Sequence, residues 1–271
     1  SRHDFDLAQP ATLAACLDMW QPALIVNAAA WTDVDAAEAD EAAATVINAD
    51  AVAALADWAG AHGALLLHFS TDHVFDGRRS AAYTEADVPA PCNAYGRSKL
   101  AGERALAASA ADYLCLRVGG LYGAHARCFP GRLLTRAQTQ LALDVVDDQI
   151  GTPTCCRPLA GAVVALLRQA LARREAGRFR SALYHLAPAG RISRFGFAEC
   201  ILASAAARGW PLAATQLRPV TTVARPGIAP RPACSVLASS RLRDDYGIAL
   251  GDWRAGWEQL VATATLADFL A

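Results

Sequence analysis

Ala64-Leu65-Leu66-Leu67-His68-Phe69 is an apolar run without alternation, set between Gly63 and the polar Ser70-Thr71-Asp72. A strand that shows water neither face must be covered on both, as in a parallel sheet flanked by helices. Similar runs occur upstream, at Ala23-Leu24-Ile25-Val26, and downstream, at Tyr113-Leu114-Cys115-Leu116-Arg117-Val118. Helix-like stretches separate them, over about 11–20, 36–60 and 92–108. Thr32, with Asp35 three residues on, predicts an N-cap with a capping-box-like partner for the second of these. Strand and helix alternating in this way define a doubly wound α/β architecture of Rossmann type, which presents ligand-binding groups at the carboxyl ends of its strands.

The second half is less regular. Residues 141–146 predict a short strand, followed by the Gly151-Thr152-Pro153-Thr154 turn. Residues 158–173 predict a helix with proline in its first turn. Residues 183–186 read as a strand and 195–208 as a helix that Ser193 would cap. From 211 to 232 the chain is rich in Pro, Thr and Arg, which suits loops over a ligand. The expected division is a dinucleotide-binding domain over 1–144 and a smaller substrate-binding lobe over 145–271, with helix 158–173 packing back on the main sheet.

Composition narrows the function classes. The chain has 271 residues, 54% of them hydrophobic and 19% charged, too apolar for a disordered chain. Basic and acidic residues number 25 and 26, so the cationic excess expected of a nucleic-acid groove or an anionic-membrane surface is missing. The longest clean apolar run, 159–167, stops at nine residues, half a membrane span. Eight cysteines are scattered apart from the adjacent Cys155–Cys156, and neither they nor the six histidines take metal-site spacing. The expectation is free thiols, no metal, and a cytoplasmic setting without a signal peptide.

Chemistry concentrates in three places. Ser70-Thr71-Asp72 closes the second strand. In the next helix Tyr95 and Lys99 stand at i and i+4, on one face. A free phenol with a pKa near ~10 is a poor proton shuttle at neutral pH, and an ammonium beside it would lower that value. Asn27-Ala28-Ala29-Ala30 follows a strand end with residues small enough for a flat ligand to approach the backbone. Each motif alone has an ordinary reading: a surface pair, an N-cap, a strand terminus. Their order within one α/β domain favours the functional one.

That order resembles the extended short-chain dehydrogenase/reductases, and within them the dTDP-4-dehydrorhamnose reductase family. The resemblance starts at Asp6-Leu7 and includes Val26-Asn27-Ala28-Ala29-Ala30, Val34-Asp35-Ala36-Ala37-Glu38 and Phe69-Ser70-Thr71-Asp72-His73-Val74-Phe75-Asp76-Gly77. It continues through Tyr95-Gly96-Arg97-Ser98-Lys99-Leu100-Ala101-Gly102-Glu103, Asp148-Gln149-Ile150-Gly151-Thr152-Pro153-Thr154 and Arg231-Pro232 with Ser235 and Leu237. It implies NADPH- or NADH-dependent reduction of the 4-keto group of dTDP-4-dehydro-L-rhamnose to dTDP-L-rhamnose, feeding polysaccharide synthesis. Tyr95 would donate the proton, Lys99 tune it and bind the nicotinamide ribose, and Thr71 hold the carbonyl oxygen. Asp6, Leu7, Ala28, Ala29, Ala30 and Ser70 would serve the cofactor, together with Tyr95 and Lys99. Thr71, Asp72, Val74, Gln149, Thr152 and Arg231 would face the sugar nucleotide, the arginine suiting its diphosphate. Other roles within the resemblance are a reductase for another deoxysugar nucleotide, or a non-catalytic subunit like the regulatory β-subunit of methionine adenosyltransferase. A homodimer is compatible with any of them.

Three departures from the family pattern carry expectations of their own. The strand and glycine-rich turn that seat a cofactor pyrophosphate do not occur in Ser1 to Phe5, so about one βαβ unit (~30 residues) is expected to precede this sequence in the natural protein. Gly120 stands where the family carries a tryptophan, which predicts a wider sugar pocket. Arg127-Cys128-Phe129 stands where an asparagine precedes the phenylalanine.

Overall fold

A computed structural model describes residues 5–124, 128–222 and 228–270; Arg127 lies outside them. Helix α1 (Pro10–Trp20) begins with proline and leads into β1 (Leu24–Asn27). The stretch expected as one helix over 36–60 is broken: α2 (Val34–Ala39), α3 (Glu41–Thr45), a π-turn over Val46–Asp50, then α4 (Ala51–His62). Its cap is Asp33, not Thr32, for the Asp33 carboxylate accepts from the backbone N–H of Asp35 and Ala36. Asp40 breaks the run by capping α3 through the N–H of Ala43.

The central strands follow as expected: β2 (Leu65–Thr71), α5 (Ala94–Ala108) and β3 (Asp112–Val118). Then come β4 (Leu121–Tyr122), α6 (Phe129–Ala137), β5 (Ala142–Val146), β6 (Ile150–Gly151) and β7 (Thr154–Cys155). Helix α7 (Cys156–Glu175) returns the chain to β8 (Ala182–His185), and β9 (Ile192–Ser193) enters α8 (Arg194–Ala207), capped by Ser193. In the segment expected as loops, β10 (Gln216–Val220) is a strand, since its backbone pairs in parallel with β5. Helices α9 (Ser240–Tyr246), α10 (Trp253–Thr263) and α11 (Leu266–Leu270) complete the chain.

The main sheet is parallel, in the order β1-β2-β3-β8. Both faces are covered, as the non-alternating strands require. Leu65, Leu67, Leu114 and Leu116 pack against Leu159, Val163, Leu166 and Leu167 of α7, while Leu66 and Cys115 face Leu13 and Leu17 of α1 and Leu55 of α4. A separate core joins α6, β5, α8, α10 and α11 through Leu134, Leu143, Phe197, Ile201, Trp257 and Phe269. Thus α7 and β8 belong with the sheet, and the second core contains neither of them. Among the described residues no helix is long and apolar enough to cross a membrane.

Candidate active site

Thr71 ends β2, where chain polarity places ligand-facing groups. Its hydroxyl accepts from the N–H of His73 at 3.1 Å and donates to Asp72 Oδ1 at 3.1 Å, and it lies near enough to the Tyr95 phenol to influence its titration. Tyr95 lies in the first turn of α5, which Asn93 caps by accepting from the N–H of Gly96 at 2.7 Å. The Asn93 amide also donates to Pro230 O at 2.9 Å and contacts His73 Nδ1, tying the 228–232 segment to the site. His73 stands edge-on to Tyr95, ring centres 5.6 Å apart. Burial chiefly, with a smaller push from Asp72, raises the Tyr95 phenol to about 12, while the nearby Thr71 hydroxyl works against the rise. Lys99 is not among the groups that move it.

Lys99 is the single lysine of the chain, buried one turn beyond Tyr95. Its Nζ donates to Phe69 O at 2.6 Å and faces His68 Nε2 at 3.2 Å; no carboxylate pairs with it among the described residues. Desolvation, only partly offset by Cys115 and Glu103, lowers the amine to about 8. His68 is fully buried, and that burial and the lysine hold its pKa well below the usual histidine range. The helix can come this close because Gly102 has no side chain: a Cβ there would sit 2.1 Å from Asn48 O in the π-turn. Asn48 in turn donates to Ser98 Oγ at 2.9 Å and exchanges bonds with the Trp31 backbone, joining α5 to the segment after Ala30.

The other expected site residues scatter. Ser70 is spent on Glu103, donating to Oε1 at 2.5 Å. Asp72 is buried, and a Cβ on Gly119 would fall 2.7 Å from its carboxylate. Val74 lies in a closed cluster with Phe75, Tyr83 and Leu237. Ala28 and Ala29 are exposed at the end of β1, and Ala30 is half-buried beside them. Asp6 accepts from the N–H of Ala8, and Leu7 packs on the core formed by α1 and α4. Gln149 donates to Thr222 Oγ1 at 2.9 Å and Thr152 to Gly190 O at 2.9 Å. Arg231 is ion-paired with Asp35 at 2.9 Å. Gly120 has φ +58°, and a Cβ there would lie 2.8 Å from Thr152 O.

Two residues emerge only in three dimensions. His68 looks like one interruption in an apolar strand. Arg194, at the head of α8, donates its backbone N–H to Gln149 O at 3.1 Å and lays its guanidinium 5.5 Å from the Phe129 ring. Burial and then the nearby Arg231 and Arg132 depress it, with Asp72 opposing. Its sequence context is that of any first-turn residue after a serine cap.

The arrangement fits the reactive end of a nicotinamide cofactor: a buried amine without a carboxylate, a phenol beside a hydroxyl, and small residues along β1's exit. Comparison with known proteins agrees. Residues 1–266 match the RmlD substrate binding domain family. The chain is 43% identical to a dTDP-4-dehydrorhamnose reductase of Burkholderia thailandensis, over 94% of this chain and 86% of the relative. It is 36% identical to a probable dTDP-4,6-dihydroxy-2-methyloxan-3-one 4-ketoreductase of Streptomyces antibioticus, over 93% and 82%. The crystal structure of dTDP-4-dehydrorhamnose reductase from Bacillus anthracis in complex with NADP superposes with a TM-score of 0.87 at 30% identity, over 97% of this chain and 89% of that one. With this fold, this phenol–amine pair and these matches, the chain belongs to the RmlD substrate-binding domain family, that of the dTDP-4-dehydrorhamnose reductases.

Proposed function

We propose that this chain reduces the 4-keto group of dTDP-4-dehydro-L-rhamnose with NADPH, in the cytoplasm, giving dTDP-L-rhamnose. The observation that carries the reading is the Tyr95 phenol beside Thr71 at the end of β2, with buried Lys99 one turn on. Bound NADPH supplies the hydride. Thr71 orients the carbonyl oxygen, and Tyr95 gives its proton to that oxygen as charge develops. A phenol at about 12 stays protonated at neutral pH, the form a reduction needs. Lys99 would hold the nicotinamide ribose of the bound cofactor and return a proton to Tyr95. The NADP bound by the Bacillus anthracis enzyme supports the choice of cofactor.

The substrate division proposed is 1–144 for the cofactor and 145–271 for the sugar nucleotide, with Arg231 and Arg194 on the diphosphate side. A second reading, a 4-ketoreductase for another deoxysugar nucleotide, draws on Gly120 standing where the family pattern carries a tryptophan and on the Streptomyces antibioticus relative. The deciding experiment follows NADPH oxidation with dTDP-4-dehydrorhamnose and with a C5-epimeric 4-keto sugar nucleotide, identifying each product by chromatography. Preferred conversion to dTDP-L-rhamnose supports the first reading and preference for the epimer the second. No turnover of either by folded protein would remove both.

A further inference from the structure

The polar groups around Lys99 admit one consistent assignment of hydrogens. Asn27 Oδ1 accepts from the N–H of Ala29 at 3.3 Å, which turns the Asn27 NH2 toward His68 Nδ1 at 3.1 Å. Turning the amide over would set its NH2 against the N–H of Ala29, donor against donor. The NH2 only donates, so His68 Nδ1 must accept, and a neutral imidazole then carries its proton on Nε2. That Nε2–H points at Lys99 Nζ, 3.2 Å away. An ammonium has three donors and no lone pair, whereas an amine can accept. The bonds therefore run in one direction, Asn27 to His68 to Lys99 to Phe69 O, only when Lys99 is uncharged.

We propose that His68 is a positioning residue: it carries its ring proton on Nε2, holds Lys99 through that proton in the amine form, and loses the contact when the lysine is protonated. Protonation then frees Nζ to turn toward Tyr95 while it keeps its bond to Phe69 O. The charged and titratable groups facing this pair are few. Glu103, on the same helix, is taken by Arg117 and Ser70. Cys115, opposite His68 on β3, is kept as a thiol by burial. Tyr95 stands one turn before the lysine. Use of the released ammonium in catalysis rests on the reductase reading; the contact with His68 does not.

The single lysine makes the test direct, because isotope-labelled lysine gives one side-chain resonance to titrate in the unliganded full chain. Wild type is expected to titrate near 8. His68→Leu is expected to raise that value by roughly one to two units, since it removes the donor that favours the amine. A fall would mean that His68 accepts from the ammonium, and no change that the contact is idle; either overturns the proposal. Nitrogen NMR shifts of His68 are expected to report Nε2–H in wild type, and Nδ1–H there would also overturn it. Should His68→Leu not fold, Asn27→Asp decides: two acceptor oxygens still serve Ala29 and draw the ring proton to Nδ1, so the tautomer should reverse and the lysine value rise. An unreversed tautomer in that variant contradicts the proposal. These titrations involve no substrate, so they can succeed or fail independently of the 4-ketoreductase assay.

Discussion

Lys99 and Glu103 sit one turn apart on the same helix, both buried against β2, yet their surroundings differ in kind. Glu103 receives Arg117 through two bonds, 2.8 and 2.6 Å, and Ser70 through a third at 2.5 Å. Arg117 in turn stacks 5.0 Å from the Phe75 ring and faces His185 Nε2 at 3.4 Å. Every charge there is answered inside the protein, which is what a buried ion pair requires to survive desolvation. Lys99 has only neutral partners, a carbonyl and an imidazole. A chain with a single lysine among 25 basic residues has placed it where an arginine could not serve, because guanidinium does not become neutral. One region spends its charge on the fold; the other leaves an amine available for chemistry.

Four measurements test that contrast. The largest effect is expected on the reactive side: Tyr95→Phe should lower kcat by roughly 100- to 10,000-fold, the usual worth of a general acid, with circular dichroism unchanged. A variant keeping about half the wild-type rate, well outside that range, would remove Tyr95 from its role. Next, Glu103→Gln leaves Arg117 without its counter-charge and should cost about 3–5 kcal/mol in urea unfolding. Lys99→Met, by contrast, should abolish turnover without lowering unfolding free energy, because it removes a buried amine that no carboxylate balances. Equal destabilisation by the two variants would erase the distinction.

The third measurement is pH. His68 and His185, one in each network, are both kept neutral by burial, the latter down to about 3. A histidine whose folded value lies below the unfolded ~6.5 contributes stability above that pH and loses it as pH falls toward the folded value. Unfolding free energy should therefore drop by about 3 kcal/mol between roughly pH 6.5 and 5, about half of it from each ring. A flat profile there would mean that neither ring is held neutral, and half the drop that only one is. The smallest effect concerns Gly120. Gly120→Trp sets a side chain on a left-handed backbone against Thr152 O, at an expected cost of ~1–3 kcal/mol. The kcat/KM ratio between epimeric 4-keto substrates should nonetheless shift toward dTDP-4-dehydrorhamnose. An unchanged ratio would mean that Gly120 does not face the sugar.

What the amino-acid order determined on its own was local or periodic. The apolar runs at 65–69 and 113–118 specify buried parallel strands because no alternation leaves a wet face. Tyr95 and Lys99 share a helix face because 3.6 residues make a turn. Ser193 caps α8 because its oxygen meets the N–H three residues on. Tertiary structure decided the rest. Asp40 and the π-turn break the helix expected over 36–60, and the bend brings Asn48 onto Ser98 and the Trp31 backbone. Strand β10 exists because β5 offers it an edge, which no propensity in a Pro- and Thr-rich segment announces. Ser70, legible as a ligand-side hydroxyl, is claimed by a glutamate 33 residues away. The company of Lys99 comes from Asn27 and His68, 41 residues apart and on different strands. Spacing along the chain places a side chain on a face. Only the approach of distant segments sets which donors and acceptors meet there, and with them whether a buried amine carries its charge.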